Sequence, residues 1–234
     1  NNFLLGGKIT GTAYCPHLFS NGTMNASLFV DNFSMNNCTI GDLKAESYWN
    51  SANRALMLNA RINEKPDSSS GGRQIATAFG AYYPIGDSIN LVVDGNRVPL
   101  SFLSVYMKMI LGDIDGFGSG RVTISGPMNK TGIYTRAYVE NVSFGIDMLN
   151  TRYYFSDSVY LTPRVAGFRN IKIRDKEGNV AYANGLIRHN YFKDFNVSID
   201  VRAEKLLAMD IPIAPDAYFS GKAYGTGTVS IDGP

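Results

Sequence analysis

The segment Ser119-Gly-Arg-Val-Thr-Ile-Ser-Gly-Pro127 returns as Thr226-Gly-Thr-Val-Ser-Ile-Asp-Gly-Pro234. The shared skeleton, small-Gly-x-Val-small-Ile-x-Gly-Pro, constrains the fold more than any other feature of the chain. Strand side chains alternate between two faces. Val122 and Ile124 therefore share one side of the first copy, and Val229 and Ile231 one side of the second. Thr123 and Ser230 point the other way. Gly-Pro then ends the ladder, because proline has no N–H to donate. A strand that recurs with its own stop predicts a modular β-architecture rather than a single closed core. The second copy closes the sequence, so 1–234 reads as one segment of a longer repeat-like protein, divisible into 1–127 and 128–234.

The same alternation recurs elsewhere. Leu56, Leu58, Ala60 and Ile62 share a face, as do Ile89, Leu91 and Val93, after which Asp94-Gly95 carries a hairpin signal. Ile171 to Asp175 and Val180 to Ala183 flank the polar turn Lys176-Glu-Gly-Asn179. Val197, Ile199, Val201 and Ala203 alternate cleanly with Ser198, Asp200 and Arg202. One-sided strands with frequent turns predict an antiparallel meander with one dry face, not βαβ crossovers. Two segments differ. Pro66 to Gly72 reads as a flexible loop. Pro99 to Leu111 has apolar residues at spacings of three and four, with Pro99 suited to a first turn and Gly112 to a stop. That predicts the one helix, lying on an apolar sheet face.

Composition narrows the function. Charged residues are 18% of the chain and the net charge is +2, with no Lys/Arg run; nucleic acid is excluded as a partner. No signal peptide or membrane-spanning run is present in the sequence. Cys15 and Cys38 are compatible with one disulfide or with two buried thiols, and two His residues leave no Cys/His metal cluster. Asn-x-Ser/Thr triplets at Asn21, Asn25, Asn32, Asn37, Asn129, Asn141 and Asn196 read as a product of composition, since several fall in strands.

No catalytic constellation emerges, and no cofactor is expected. Gly116-Phe-Gly-Ser-Gly120 runs into a strand, whereas a phosphate cradle needs a helix N-terminus. His189 with Asp194 reads as a turn histidine rather than a general base. Asp113 with Asp115, and Asp87 with Asp94, sit beside glycines and read as turn formers rather than paired glycosidic acids.

Several motifs in order resemble one family. They are Gly11-Thr-Ala, Val30-Asp-Asn-Phe33, Cys38-x-Ile-Gly-Asp-Leu43 and Ser47-x-Trp49. The short helix leading to Gly-x-Val-x-Ile-x-Gly-Pro127 follows. Then come Ile171-x-Ile-x-Asp-x-x-Gly-Asn179, Asn184-Gly-Leu-Ile-x-His189, Phe192-x-Asp194 and the closing run Tyr218 to Pro234. This order resembles the TamB family of AsmA-like envelope proteins, in its Bacteroides-type form. The resemblance implies an all-β, elongated and curled sheet, a U-shaped taco with an apolar groove. It also implies a parent protein anchored in the inner membrane and crossing the periplasm. The implied partners are phospholipid acyl chains and an outer-membrane β-barrel protein of the barrel-assembly, TamA-like type.

On that reading the chain is not an enzyme. The groove lining is assigned to Val122, Ile124, Ile171, Ile173, Val197, Ile199, Val201, Val229 and Ile231. Leu103, Met107 and Ile110 of the helix would cap it. A plain sandwich core requires the same alternation, so the residues leave both open. Two other functions stay in view: a module assisting insertion of barrel proteins through a strand edge, and a surface adhesin or carbohydrate-active β-solenoid.

Overall fold

A computed structural model describes residues 4–14, 25–65, 72–107, 112–191, 193–213 and 219–233, with the backbone alone at 106 and 107. The chain is all-β. Thirteen antiparallel strands form one unclosed sheet in simple sequence order. They are β1 (Leu5–Tyr14), β2 (Asn25–Met35), β3 (Cys38–Asn50), β4 (Ala55–Asn63), β5 (Gln74–Tyr83), β6 (Ser88–Pro99) and β7 (Ile114–Pro127). After these come β8 (Gly132–Ile146), β9 (Thr151–Leu161), β10 (Val165–Asp175), β11 (Val180–Arg188), β12 (Asn196–Ile211) and β13 (Gly221–Gly233).

Two compact units divide the chain: Asn1–Val98 with Ser119–Arg136, and Pro99–Gly118 with Ala137–Pro234. In the first, the register across β1 to β6 gathers aliphatic side chains into rows on one face. One row reads Gly11, Leu28, Ala45, Ala60, Ala78, Val93; the row beside it reads Ile9, Val30, Leu43, Ile62, Ala76, Gly95. The opposite face carries Thr10, Phe29, Lys44, Arg61, Thr77 and Asp94 in one row. Residues directly across a ladder share a face, so these rows are the sheet-wide form of the alternation within each strand.

In the second unit Tyr153, Ile171, Ile173 and Ala183 are buried together, with Phe144, Ile146, Phe155, Phe168, Val201 and Leu206 packed against them. Ile114, Val139 and Val142 form a neighbouring cluster, joined by Leu100, Phe144, Phe155 and Val159. Phe144 bridges them by rings, 5.6 Å from Tyr153 and 6.1 Å from Phe155. The Tyr153 hydroxyl donates to the Leu207 carbonyl at 2.9 Å. Two strands lie between β9 and β12, which a flat sheet would hold roughly 14 Å apart. This end of the unit is therefore curled.

The curl has a local cause. Asn32, Arg97, Asn141, Asn170 and Lys205 all have φ between 47° and 56°. In β2, β10 and β12, three residue steps across these sites span only two on the following strand, which defines a bulge. At all five positions the backbone N–H meets a short side chain of the next strand. Asn32 donates to Asp42 Oδ1, Arg97 to Ser119 Oγ, Asn141 to Ser156 Oγ, Asn170 to Asn184 Oδ1 and Lys205 to Thr226 Oγ1, all at 2.9–3.0 Å. Bulges bend and twist their strand, and the side-chain acceptor satisfies the N–H that leaves the ladder. Asn tolerates positive φ better than most residues, which explains why Asn32 and Asn141 stand where they do.

Local expectations divide. The hairpin around Lys176 to Asn179 forms as read. The hairpin expected at Asp94-Gly95 does not form: Asp94 pairs with Thr77 and Gly95 with Ala76 inside β6. The Asp94 carboxylate accepts two bonds from the Arg121 guanidinium, at 2.7 and 2.9 Å, so this aspartate fastens a strand instead of making a turn. The helix is shorter at its start than read. Pro99 ends β6, the Leu100 N–H donates to Gly116 O, a 3-10 turn covers Ser101–Leu103 and α-helix covers Ser104–Met107. Residues 108–111, including Ile110, and the loop over 66–71 lie outside the described residues.

Candidate functional site

The register brings most of the sequence-nominated residues into one patch of the second unit. Ile171 faces Ala183, Ala183 faces Val201, and Val201 faces Val229. One step along, Gly185, Ile199 and Ile231 form the next row, and Ile187, Val197 and Gly233 the one after. Exposure rises along the first row. Ile171 is 2% exposed and Val229 59%; Ile231, in the next row, is 53% exposed. Ile173 is buried beside Ile171. Val197, Ile199 and Val201 are half-buried. The β10 end of the patch is thus core, and the β12–β13 end is an apolar surface open to contact.

Val122 and Ile124 belong to the first unit. Their neighbour Arg121 reaches Asp94 on the polar face, which puts both on the apolar side of β7 by the two-residue period. They are half-buried there. Leu103 is half-buried in its 3-10 turn, whereas Leu100, three residues earlier, is the one that packs on the Ile114 cluster. Met107 is described by its backbone alone, and Ile110 lies outside the described residues.

The larger apolar face, over β1 to β6, was not nominated from sequence. Its signal was partly legible in the alternation of Leu56 to Ile62 and Ile89 to Val93, but its extent depends on pairing. Ala45, Ala60 and Ala78 form its middle row, with Leu43, Ile62, Leu58 and Leu91 on either side. Small residues between branched ones make a trough running across the strands. On this face Val30 and Ala76 are buried; Ala45, Ala60 and Ala78 are half-buried, and Leu28 and Ile9 are exposed. Among the described residues the largest fully buried side chains are Ile75, Ile171 and Leu207.

Polar groups at the end of the second unit hold the curl. Asp175, 3% exposed, accepts at one oxygen from the Glu177 and Asn179 N–H groups, and at the other from the Leu207 N–H and the Asn179 amide, all at 2.8–2.9 Å. Burial pushes its carboxyl up, but these hydrogen bonds outweigh it and hold the group below the usual carboxylate range. The Asp-x-x-Gly-Asn motif is thereby a turn that grips β12. Lys176 pairs with Asp210, and Lys222 with Glu177, which also accepts from the Tyr224 hydroxyl at 2.9 Å. The Glu177 hydrogen bond raises the Lys222 ammonium.

Several of the residues weighed as acids or bases make local contacts. The His189 N–H donates to Arg164 O and its ring lies 5.8 Å from Phe195, as a turn histidine. Asp87 accepts from the Tyr82 hydroxyl at 2.8 Å, and Asp115 from the Gly116 N–H at 2.8 Å. Cys15 lies outside the described residues.

Comparison of the chain with family models, with curated proteins and with solved structures gave no match.

Proposed function

We propose that this chain is a non-enzymatic segment of a TamB-like envelope protein whose apolar sheet faces carry phospholipid acyl chains. The observation that carries the reading is the apolar trough of the first unit, where the half-buried row Ala45, Ala60, Ala78 runs between branched side chains. Sheets normally bury such a face on a second layer, and an apolar face left open to water favours an apolar ligand. Each methylene leaving water gains about 0.8 kcal/mol, so a tail lying in the trough gains on the order of 10 kcal/mol. Aliphatic walls without directional bonds fix no single tail position, which suits sliding. In this reading the parent protein is anchored in the inner membrane, spans the periplasm and meets an outer-membrane barrel of the TamA-like type.

Native mass spectrometry with lipid extraction, on protein purified from a bacterial envelope, tests it. Phospholipid is expected on the chain and is expected to fall when Ala60→Asp, in the trough, or Val229→Asp, on the second patch, is introduced. A lipid-free, monodisperse chain overturns the reading.

A second reading draws on the edge of the sheet. Among the described residues β13 pairs with β12 alone, and Val229 and Ile231 are exposed on it. Such an edge suits β-augmentation by a nascent barrel strand. Site-specific cross-linking from Lys222 to a peptide of alternating apolar residues distinguishes it from the lipid reading.

A further inference from the structure

We propose a phosphate-binding site on the polar side of β8 to β10, separate from the apolar faces. A shallow cavity of about 500 Å³ opens there between Ser143, Tyr154, Ser156, Lys172 and Arg174, with Phe155 also in its wall and no carboxylate among its lining residues. Lys172 and Arg174 are two apart on β10, so they point the same way, roughly 6–7 Å from each other along the strand. Elsewhere Lys44, Lys65, Arg73, Arg121, Lys176 and Lys222 each pair with an acid. Among the described residues, neither Lys172 nor Arg174 has an ion-pair partner.

The serines point to the same ligand. Ser156 Oγ already accepts the backbone N–H of Asn141 at 2.9 Å, and Ser143 Oγ accepts from the Arg152 guanidinium at 2.9 Å. Each hydroxyl oxygen is occupied as an acceptor, which leaves its proton to donate. The lining therefore supplies an ammonium, a guanidinium and two serine hydroxyls: donors in excess and no fixed negative charge. A tetrahedral phosphate monoester or diester uses such a set fully, because its oxygens only accept and its charge offsets both cations. The ladder is interrupted at this place. β9 and β10 pair at Tyr154 with Arg174 and again at Val159 with Phe168, with a register shift between. That irregularity opens room at the sheet surface.

Two sources of phosphate fit the chemistry, a lipid headgroup and a small soluble phosphate ester. Isothermal titration of the full 234-residue chain with inorganic phosphate and with glycerol 3-phosphate reads the site directly. Flotation with phosphatidylglycerol vesicles reads the membrane source. Lys172→Gln and Arg174→Gln are each expected to weaken binding about tenfold, while Arg202→Gln, on the same face beside Tyr182, leaves it within about twofold. Binding to the soluble esters alone assigns a free phosphate ligand; binding to vesicles as well assigns a headgroup. Absence of saturable binding to any probe, or equal weakening by Arg202→Gln, overturns the proposal. Both substituted side chains are on the solvent side, and an unchanged urea midpoint verifies folding. Flotation that Lys172→Gln weakens, with the apolar faces untouched, separates this site from the acyl-chain reading, whose test is extraction of whole lipid.

Discussion

The Lys205 backbone N–H donates to the Thr226 hydroxyl across 3.0 Å. Arg97 and Ser119 stand in the same relation at 2.9 Å. Ser119 and Thr226 are the first residues of the two copies of the repeated motif, so the small residue at its head has a defined role: it receives the N–H of a positive-φ residue on the preceding strand. The glycine that follows has positive φ in both copies, 156° at Gly120 and 137° at Gly227.

Thr226→Val should destabilise the chain by about 0.5–1.5 kcal/mol, the value of one hydrogen bond, and Thr226→Ser should be close to neutral. Urea unfolding of the two variants measures the difference. Equal stability of valine and serine variants would mean that water serves the Lys205 N–H just as well.

Asp175 should dominate acid sensitivity in the second unit. Its native pKa is lowered, so its contribution is present above the unfolded value, about 3.9, and is lost as pH falls through the native one. Asp175→Ala leaves the Leu207 N–H without its acceptor and should cost about 3 kcal/mol at pH 7. Stability curves from pH 6 to pH 2 should be flatter for Asp175→Asn than for the parent.

His189 acts at higher pH. Burial lowers its pKa, so the neutral ring is favoured in the fold. The contribution is complete above the unfolded value, about 6.5, and declines as pH falls toward the native value. Thermal melts between pH 7.5 and 5.5 should show a loss that His189→Gln lacks.

Two glycines should respond oppositely to alanine. A Cβ at Gly185 would lie 2.3 Å from the Phe168 ring, which packs on the Ile171 cluster. Gly185→Ala should cost about 1–3 kcal/mol through forced repacking. A Cβ at Gly233 meets nothing within 4 Å, and Gly233→Ala should stay within about 0.5 kcal/mol. Chemical denaturation of both variants provides the comparison.

Along the row from Ile171 to Val229, burial separates core from surface. Ile171→Asp buries a carboxylate among aromatic rings and should prevent folding of the second unit. Val229→Asp should leave the unfolding midpoint nearly unchanged while lowering the amount of co-purified lipid. If both variants fold equally well, the β10 end of the patch is not the core that its burial indicates.

The sequence by itself determined the elements whose causes are local. Alternation marked β4, β6 and β12, the polar turn at Lys176 to Asn179 marked a hairpin, and Gly-Pro marked the end of β7. Asp94-Gly95 misled because the dipeptide is a turn signal only when the chain reverses there; Thr77 opposite Asp94, and Arg121 beyond it, keep the strand running. The bulges were harder to read. Val30 to Phe33, Phe168 to Ile171 and Ala203 to Leu206 each place two polar residues between two apolar ones, which breaks the two-residue period. Only the pairing, Val30 with Leu43 and Phe33 with Gly41, shows that both flanks return to the same face. The tertiary structure alone also decided that Ile171 is core and Val229 is surface, although both obey the same alternation. Periodicity assigns a face; what covers that face depends on curl, and curl comes from one extra residue in a strand and the hydroxyl or amide across from it.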